Sequence, residues 1–138
     1  MNKETFTDAE KLFEMGKRYH KGEGIPKDLT EAEKWYTKAA EQGHADAQTE
    51  LGHFFIRGGT NFRVAADWYE KAAEQGHAEA AFSLGMLYKS GYRVNRNSFE
   101  DIHYPPTDIQ RNLDLAIKWL QKAVEQGDVE AKKLLAFW

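Results

Sequence analysis

The chain has 138 residues, 30% of them charged and 41% hydrophobic, with a formal net charge of −3 and no cysteine. That is room for one domain with its own core, without the basic footprint of a nucleic-acid reader and without disulfides or thiolate chemistry. No stretch approaches the roughly 20 uncharged apolar residues of a membrane-spanning helix, and Met1 to Asp8 is polar with no apolar run behind a basic start, so the expectation is a soluble cytoplasmic protein.

From Asp8 to Lys21 the apolar residues Ala9, Leu12, Met15 and Tyr19 recur at helical spacing, which predicts an amphipathic helix. Lys21-Gly22-Glu23-Gly24 follows that helix, not a strand, and lacks the Lys-Ser/Thr ending of a phosphate loop, so it reads as a turn. Asp28 then opens a second helix in which Ala32, Trp35, Tyr36 and Ala39 share a face, and Gly43 closes it.

The pair then repeats. The run Trp35-Tyr36-Thr37-Lys38-Ala39-Ala40-Glu41-Gln42-Gly43-His44 returns as Trp68-Tyr69-Glu70-Lys71-Ala72-Ala73-Glu74-Gln75-Gly76-His77, and again from Trp119 through Gly127 to Asp128. Met15-Gly16 returns as Leu51-Gly52 and Leu84-Gly85, each glycine three residues ahead of an aromatic, Tyr19, Phe55 or Tyr88. Asp28, Asn61 and Asn112 each stand seven residues before a tryptophan, where a side-chain oxygen caps the second helix. Both complete Trp-to-Gly distances, Trp35 to Gly52 and Trp68 to Gly85, are 17 residues, and counting 17 beyond Trp119 reaches Ala136. The array is therefore three and a half repeats in one domain, 1–138: about 8–43, 44–76, 77–127 and a half-repeat 128–138. Gly16, Gly52 and Gly85 fall inside helices, where glycine costs about 1 kcal/mol relative to alanine, so a close helix crossing is expected at each.

These runs resemble the Sel1-like repeat, a helix-turn-helix family related to tetratricopeptide repeats, over nearly the whole chain. The resemblance implies an all-α, right-handed solenoid and adaptor or scaffold roles in which the repeats hold other proteins; some small bacterial members look like inhibitors that neutralise a partner toxin. The function expected on that basis is a non-catalytic protein-binding module, of the inhibitor or immunity type. Its partner is another protein, a toxin or effector, with no nucleic acid, membrane or cofactor involved, and the chain itself is a monomer or weak dimer. A self-assembling scaffold and an enzyme with an unrecognised site are the rival readings.

The residues themselves hold no catalytic constellation. None of the five histidines stands in an HExxH or comparable metal-ligand spacing, and His44 and His77, at one repeat position just past the glycine, read as helix-end residues. Ser83, Ser90 and Ser98 lack a nucleophile-elbow context. Trp35, Trp68 and Trp119 recur at one helical position and are expected to pack between helices, not to form a ligand stack.

A binding surface is expected where the frame stays constant and its neighbours change. Around the anchors Met15, Leu51 and Leu84, the positions two before hold Phe13, Thr49 and Phe82; two after hold Lys17, His53 and Met86; five after hold His20, Ile56 and Lys89. These are candidate partner contacts along a face of stacked first helices. The turns between paired helices supply more: Gly16 to Trp35 is 19 residues, Gly52 to Trp68 is 16 and Gly85 to Trp119 is 34, which places a loop insertion near 98–111. Its composition, with Phe99, Ile102 and Tyr104, is too apolar for a solvated linker, and Arg96, Phe99, Asp101, His103 and Tyr104 join the candidates, the aromatics being equally suited to covering the flank of the third repeat. At the carboxyl end, Leu134, Leu135, Phe137 and Trp138 either dock the half-repeat as a cap or form an exposed apolar end.

Overall fold

A computed structural model describes residues 8–58, 61–91 and 112–137. These form seven helices: α1 (Asp8–Lys21), α2 (Leu29–Glu41), α3 (Ala45–Gly58), α4 (Phe62–Glu74), α5 (Ala78–Ser90), α6 (Leu113–Glu125) and α7 (Val129–Leu135). Each packs mainly on its neighbours in sequence, so α1/α2, α3/α4 and α5/α6 are three helix pairs stacked into a solenoid, and α7 is an unpaired first helix.

Side chains fix the helix starts as their spacing predicts. The oxygens of Asp28, Asn61 and Asn112 accept from the backbone N–H of Glu31, Val64 and Leu115 at 3.1, 3.0 and 3.0 Å. First helices begin differently: Nδ1 of His44 and of His77 accepts from Ala47 and Ala80 N–H, both at 3.2 Å, and Asp128 Oδ1 does the same for Ala131 at 2.8 Å. Second helices end at Gly43, Gly76 and Gly127, whose φ values of 89°, 89° and 94° are open to glycine and strained for other residues. The glutamines before Gly76 and Gly127 reach the preceding repeat. Gln75 Nε2 reaches back one repeat to donate to Gly43 O and Gln48 Oε1, both at 3.0 Å, and the Gln126 side chain lies beside Gly76.

The core is a ladder of alanines with one large residue per rung. Ala32, Tyr36 and Ala39 on α2, Ala65, Tyr69 and Ala72 on α4, and Ala116, Leu120 and Ala123 on α6 are all buried at i, i+4 and i+7. The large residue of each set lies on the interior glycine of the facing first helix: Tyr36 on Gly16, Tyr69 on Gly52 and Leu120 on Gly85. A Cβ on Gly16 would stand 2.5 Å from the Tyr36 ring and one on Gly85 2.7 Å from Leu120 Cγ, so the close crossing that compensates for helical glycine is present in all three pairs.

Two of the tryptophans, Trp68 and Trp119, pack against other helices as expected. Trp119 is buried and Trp68 is half-buried against the cluster of Ala32, Tyr36, Ala39 and Leu51; Trp35 is half-buried too, and the ammonium groups of Lys38 and Lys71 lie 4.9 and 4.6 Å from the ring centroids of Trp35 and Trp68. The wedge between paired helices is the residue after the tryptophan, because that is the one flanked by alanines on the inner face.

The enlarged third turn is closed by the same bond as the first. Asp28 N–H donates to Tyr19 O at 2.9 Å across nine residues, and Asn112 N–H donates to Tyr88 O at 2.8 Å across twenty-four. Fifteen extra residues thus leave the helix ends pinned as in the first pair.

Candidate protein-binding surface

The nine helical candidates sort by what the next repeat offers them. Phe13 and Lys17, four residues apart on α1, meet the cap of α3. The Phe13 ring stacks on the His44 imidazole with centroids 4.6 Å apart and planes 25° from parallel, and the Lys17 ammonium lies 5.3 Å from the same ring while pairing with Glu14 at 3.1 Å. His20 Nδ1 lies 3.2 Å from the Tyr36 hydroxyl, and its ring leans on Phe54. These three are partly buried within the array.

Thr49 and His53 hold the matching positions on α3. Thr49 departs from its expected role: it is 1% exposed, its hydroxyl donates to Ala45 O at 3.0 Å, and Oγ1 lies 3.3 Å from His77 Nδ1, which leaves no surface for a partner. His53 bridges repeats, with Nε2 donating to Glu79 Oε1 at 3.0 Å and Nδ1 2.6 Å from the Tyr69 hydroxyl. A second histidine–carboxylate contact crosses the other way. His77 must receive the Ala80 N–H on Nδ1, so Nε2 carries the proton and donates to Asp46 Oδ1 at 2.7 Å. Burial drives the Tyr69 phenol well above its ordinary pKa, with Glu79 adding to the effect and a Ser83 hydrogen bond opposing it; Tyr36 is raised likewise, by burial first and then by Glu50 and Glu14.

Phe82 and Met86 hold the same positions on α5, and here the junction is open. They wall two adjoining clefts. One, about 170 Å³, is lined by Ile56, Tyr69, Phe82, Ser83, Met86 and Leu87. The other, about 230 Å³, is lined by Phe82, Met86, Glu130, Lys133, Leu134 and Phe137. Three of the expected residues, Ile56, Phe82 and Met86, are thus brought together on a strip running from α3 across α5 to α7. A larger depression of about 460 Å³ lies beside Trp35, and the described residues that line it all belong to α2.

The half-repeat behaves in both of the ways its sequence allowed. Ala131 is buried and Leu134 and Leu135 pack on the core of the third pair, whereas Phe137 is 88% exposed at the rim of the larger cleft. Trp138 lies outside the described residues, as do Arg96, Phe99, Asp101, His103 and Tyr104. Lys89 is half-buried near the end of α5. Ser83, Glu130, Lys133 and Leu134 were not among the expected contacts; Ser83 enters from α5 in the smaller cleft, and the other three enter because α7 shares the larger cleft with α5.

Among the described residues no group of three or more His, Asp or Glu side chains could hold a metal ion, and no helix is long and apolar enough to cross a membrane.

The model of the Sel1 repeat matches residues 12–44, 45–77, 78–100 and 101–128. The chain belongs to the Sel1 repeat family. The last two matched segments meet between residues 100 and 101, within the insertion expected near 98–111. Among solved structures it is similar to a Sel1 repeat protein from Oxalobacter formigenes, at 34% identity over 90% of this chain and 46% of that one, with a TM-score of 0.74. It is also similar to a protective antigen of uropathogenic Escherichia coli with an SLR fold, at 28% identity over 90% of this chain and 24% of that one, with a TM-score of 0.72. An immunity protein from Pseudomonas aeruginosa shares the fold at 21% identity, over 86% of this chain and 40% of that one, with a TM-score of 0.59. This Sel1 chain spans less than half the length of each of the three. Comparison with curated proteins finds no match. The repeats of this family are protein-interaction modules, typically without catalysis of their own.

Proposed function

We propose that this Sel1-repeat chain is a non-catalytic binding module whose partner protein seats on the α3–α5–α7 strip, centred on Phe82 and Met86. The observation that carries this reading is the contrast between junctions. Equivalent positions at the first two are occupied by the next repeat, whereas the third leaves an aromatic and a methionine as the shared wall of two clefts. Aromatic and methionine side chains are enriched at the centres of protein interfaces, where a few buried anchors dominate affinity.

The inhibitor or immunity form of the reading is that binding blocks the partner sterically. It draws on the immunity protein that shares this fold, a likeness of fold alone. The exposed Phe137 favours a second reading, in which the carboxyl end of the array contacts another copy.

Affinity capture with the wild-type chain, Met86→Glu and a deletion of 97–111 tests both. The expected result is one stoichiometric protein partner, lost with Met86→Glu and retained by the deletion. A partner kept by Met86→Glu and lost with the deletion would move the site to the insertion. No partner, together with a sedimentation coefficient that grows with concentration, would replace the proposal by self-assembly.

A further inference from the structure

The three junctions present one pair of positions, four residues apart, to the start of the following first helix. At the first junction the aromatic ring is covered from within the chain: Phe13 carries the planar His44 imidazole and the Lys17 ammonium. At the third, the aromatic is kept as Phe82 but both covering groups are gone. Met86 stands where Lys17 stood, and Asp128 stands where His44 stood, its carboxylate engaged with the Ala131 N–H. No ring or cation stacks on Phe82 among the described residues. In place of the lost groups, the cleft beside it has a carboxylate, Glu130, which pairs with Lys133 at 3.6 Å through side chains 72% and 67% exposed.

We infer that the cleft between α5 and α7 takes an arginine side chain of the partner protein. Its guanidinium lies over the Phe82 ring and donates to the Glu130 carboxylate, with its methylene stem along Met86, Leu134 and Phe137. A flat cation is what the vacant face of Phe82 lacks by comparison with Phe13, and an arginine stacks, forks onto a carboxylate and buries an apolar stem at once. Lysine would supply the charge without the plane. Lys133, the chain's own cation at the cleft, has to release Glu130, which costs little because exposed ion pairs contribute little. The inference rests on the proposed binding strip and names what it recognises.

The test uses the full chain and three probe peptides, Ac-Gly-Arg-Gly-NH2 and its lysine and norleucine counterparts, titrated while NMR follows the Met86 methyl and Phe82 ring signals. The arginine probe is expected to shift both saturably and to bind about threefold or more tighter than either counterpart. Phe82→Leu and Glu130→Gln each remove that preference, and Phe13→Leu leaves it. Equal binding of the norleucine or lysine probe, indifference to Glu130→Gln, or no saturable shift with any probe would overturn the inference. If that happens while partner capture still depends on Met86, the strip stands and only the arginine assignment falls; if capture is also independent of Met86, both fall.

Discussion

The ring of Tyr69 lies where a side chain on Gly52 would have to go, with Cδ1, Cε1 and Cζ all inside van der Waals contact of the missing Cβ. Gly52→Ala therefore sets two effects against each other. Alanine improves helix propensity by about 1 kcal/mol, while overpacking a buried ring costs about 1–3 kcal/mol. The expected net is destabilisation in the wild type and a change of sign in a Tyr69→Ala background, where the ring is absent and propensity alone remains. Urea unfolding of the four chains checks it, and the same sign in both backgrounds would show that the ring does not demand the glycine.

Alkaline pH should loosen the array through the same tyrosines. Burial raises the phenol pKa of Tyr36 and Tyr69 in the folded state, so the unfolded chain releases these protons first. A group with a raised folded pKa contributes stability that is complete below its unfolded pKa, near 10 for tyrosine, and declines as pH climbs above it. Urea midpoints should be insensitive to these groups up to about pH 9 and fall from about pH 10 upward. Tyr69→Phe should fall less steeply over that window than the wild type; parallel profiles would contradict the assignment.

His77 is expected to be replaceable by asparagine and not by alanine. Its Nδ1 accepts the Ala80 N–H that would otherwise go unmatched at the start of α5, and loss of such a cap costs about 1 kcal/mol. Asparagine restores an acceptor there, as Asp128 provides one for α7, without adding a charge beside Asp46. Asp46→Asn should change stability little, because that carboxylate is 58% exposed. Equal losses for His77→Ala and His77→Asn would place its contribution in the Asp46 and Thr49 contacts instead.

Much of the fold was legible because it depends on short-range rules. Caps seven residues before each tryptophan and glycines at the helix ends follow from the hydrogen-bonding needs of a single helix terminus. The interior glycines announced a close crossing, but not which residue fills it: Trp35 and Tyr36 are adjacent aromatics about 100° apart on one helix, and the i, i+4, i+7 set of Ala32, Tyr36 and Ala39 settles it. The candidate site was legible only as a set of variable positions. Thr49 is buried against His77 and Phe13 is stacked on His44, each roughly thirty residues away, while Phe82 lines a cleft; that depends on which residue caps the following helix and how α7 lies beside α5.

Removing 97–111 should leave the third pair intact. The deletion restores the nine-residue spacing of Tyr19 and Asp28 between Tyr88 and the residue that caps α6, so the bond from that residue's N–H to Tyr88 O closes a turn of the length already used in the first pair. Shortening the closed segment from twenty-four residues to nine lowers the entropy cost of closure by about 1 kcal/mol. The shortened chain is therefore expected to be as stable as the wild type or up to about 1 kcal/mol more so. Equilibrium urea unfolding measures this directly. A loss of about 2 kcal/mol or more would mean that the apolar side chains of the inserted segment, Phe99, Ile102 and Tyr104 among them, contribute buried surface to the array. The strip reading makes a second demand on the same variant: partner binding by Phe82 and Met86 has to survive the deletion unchanged.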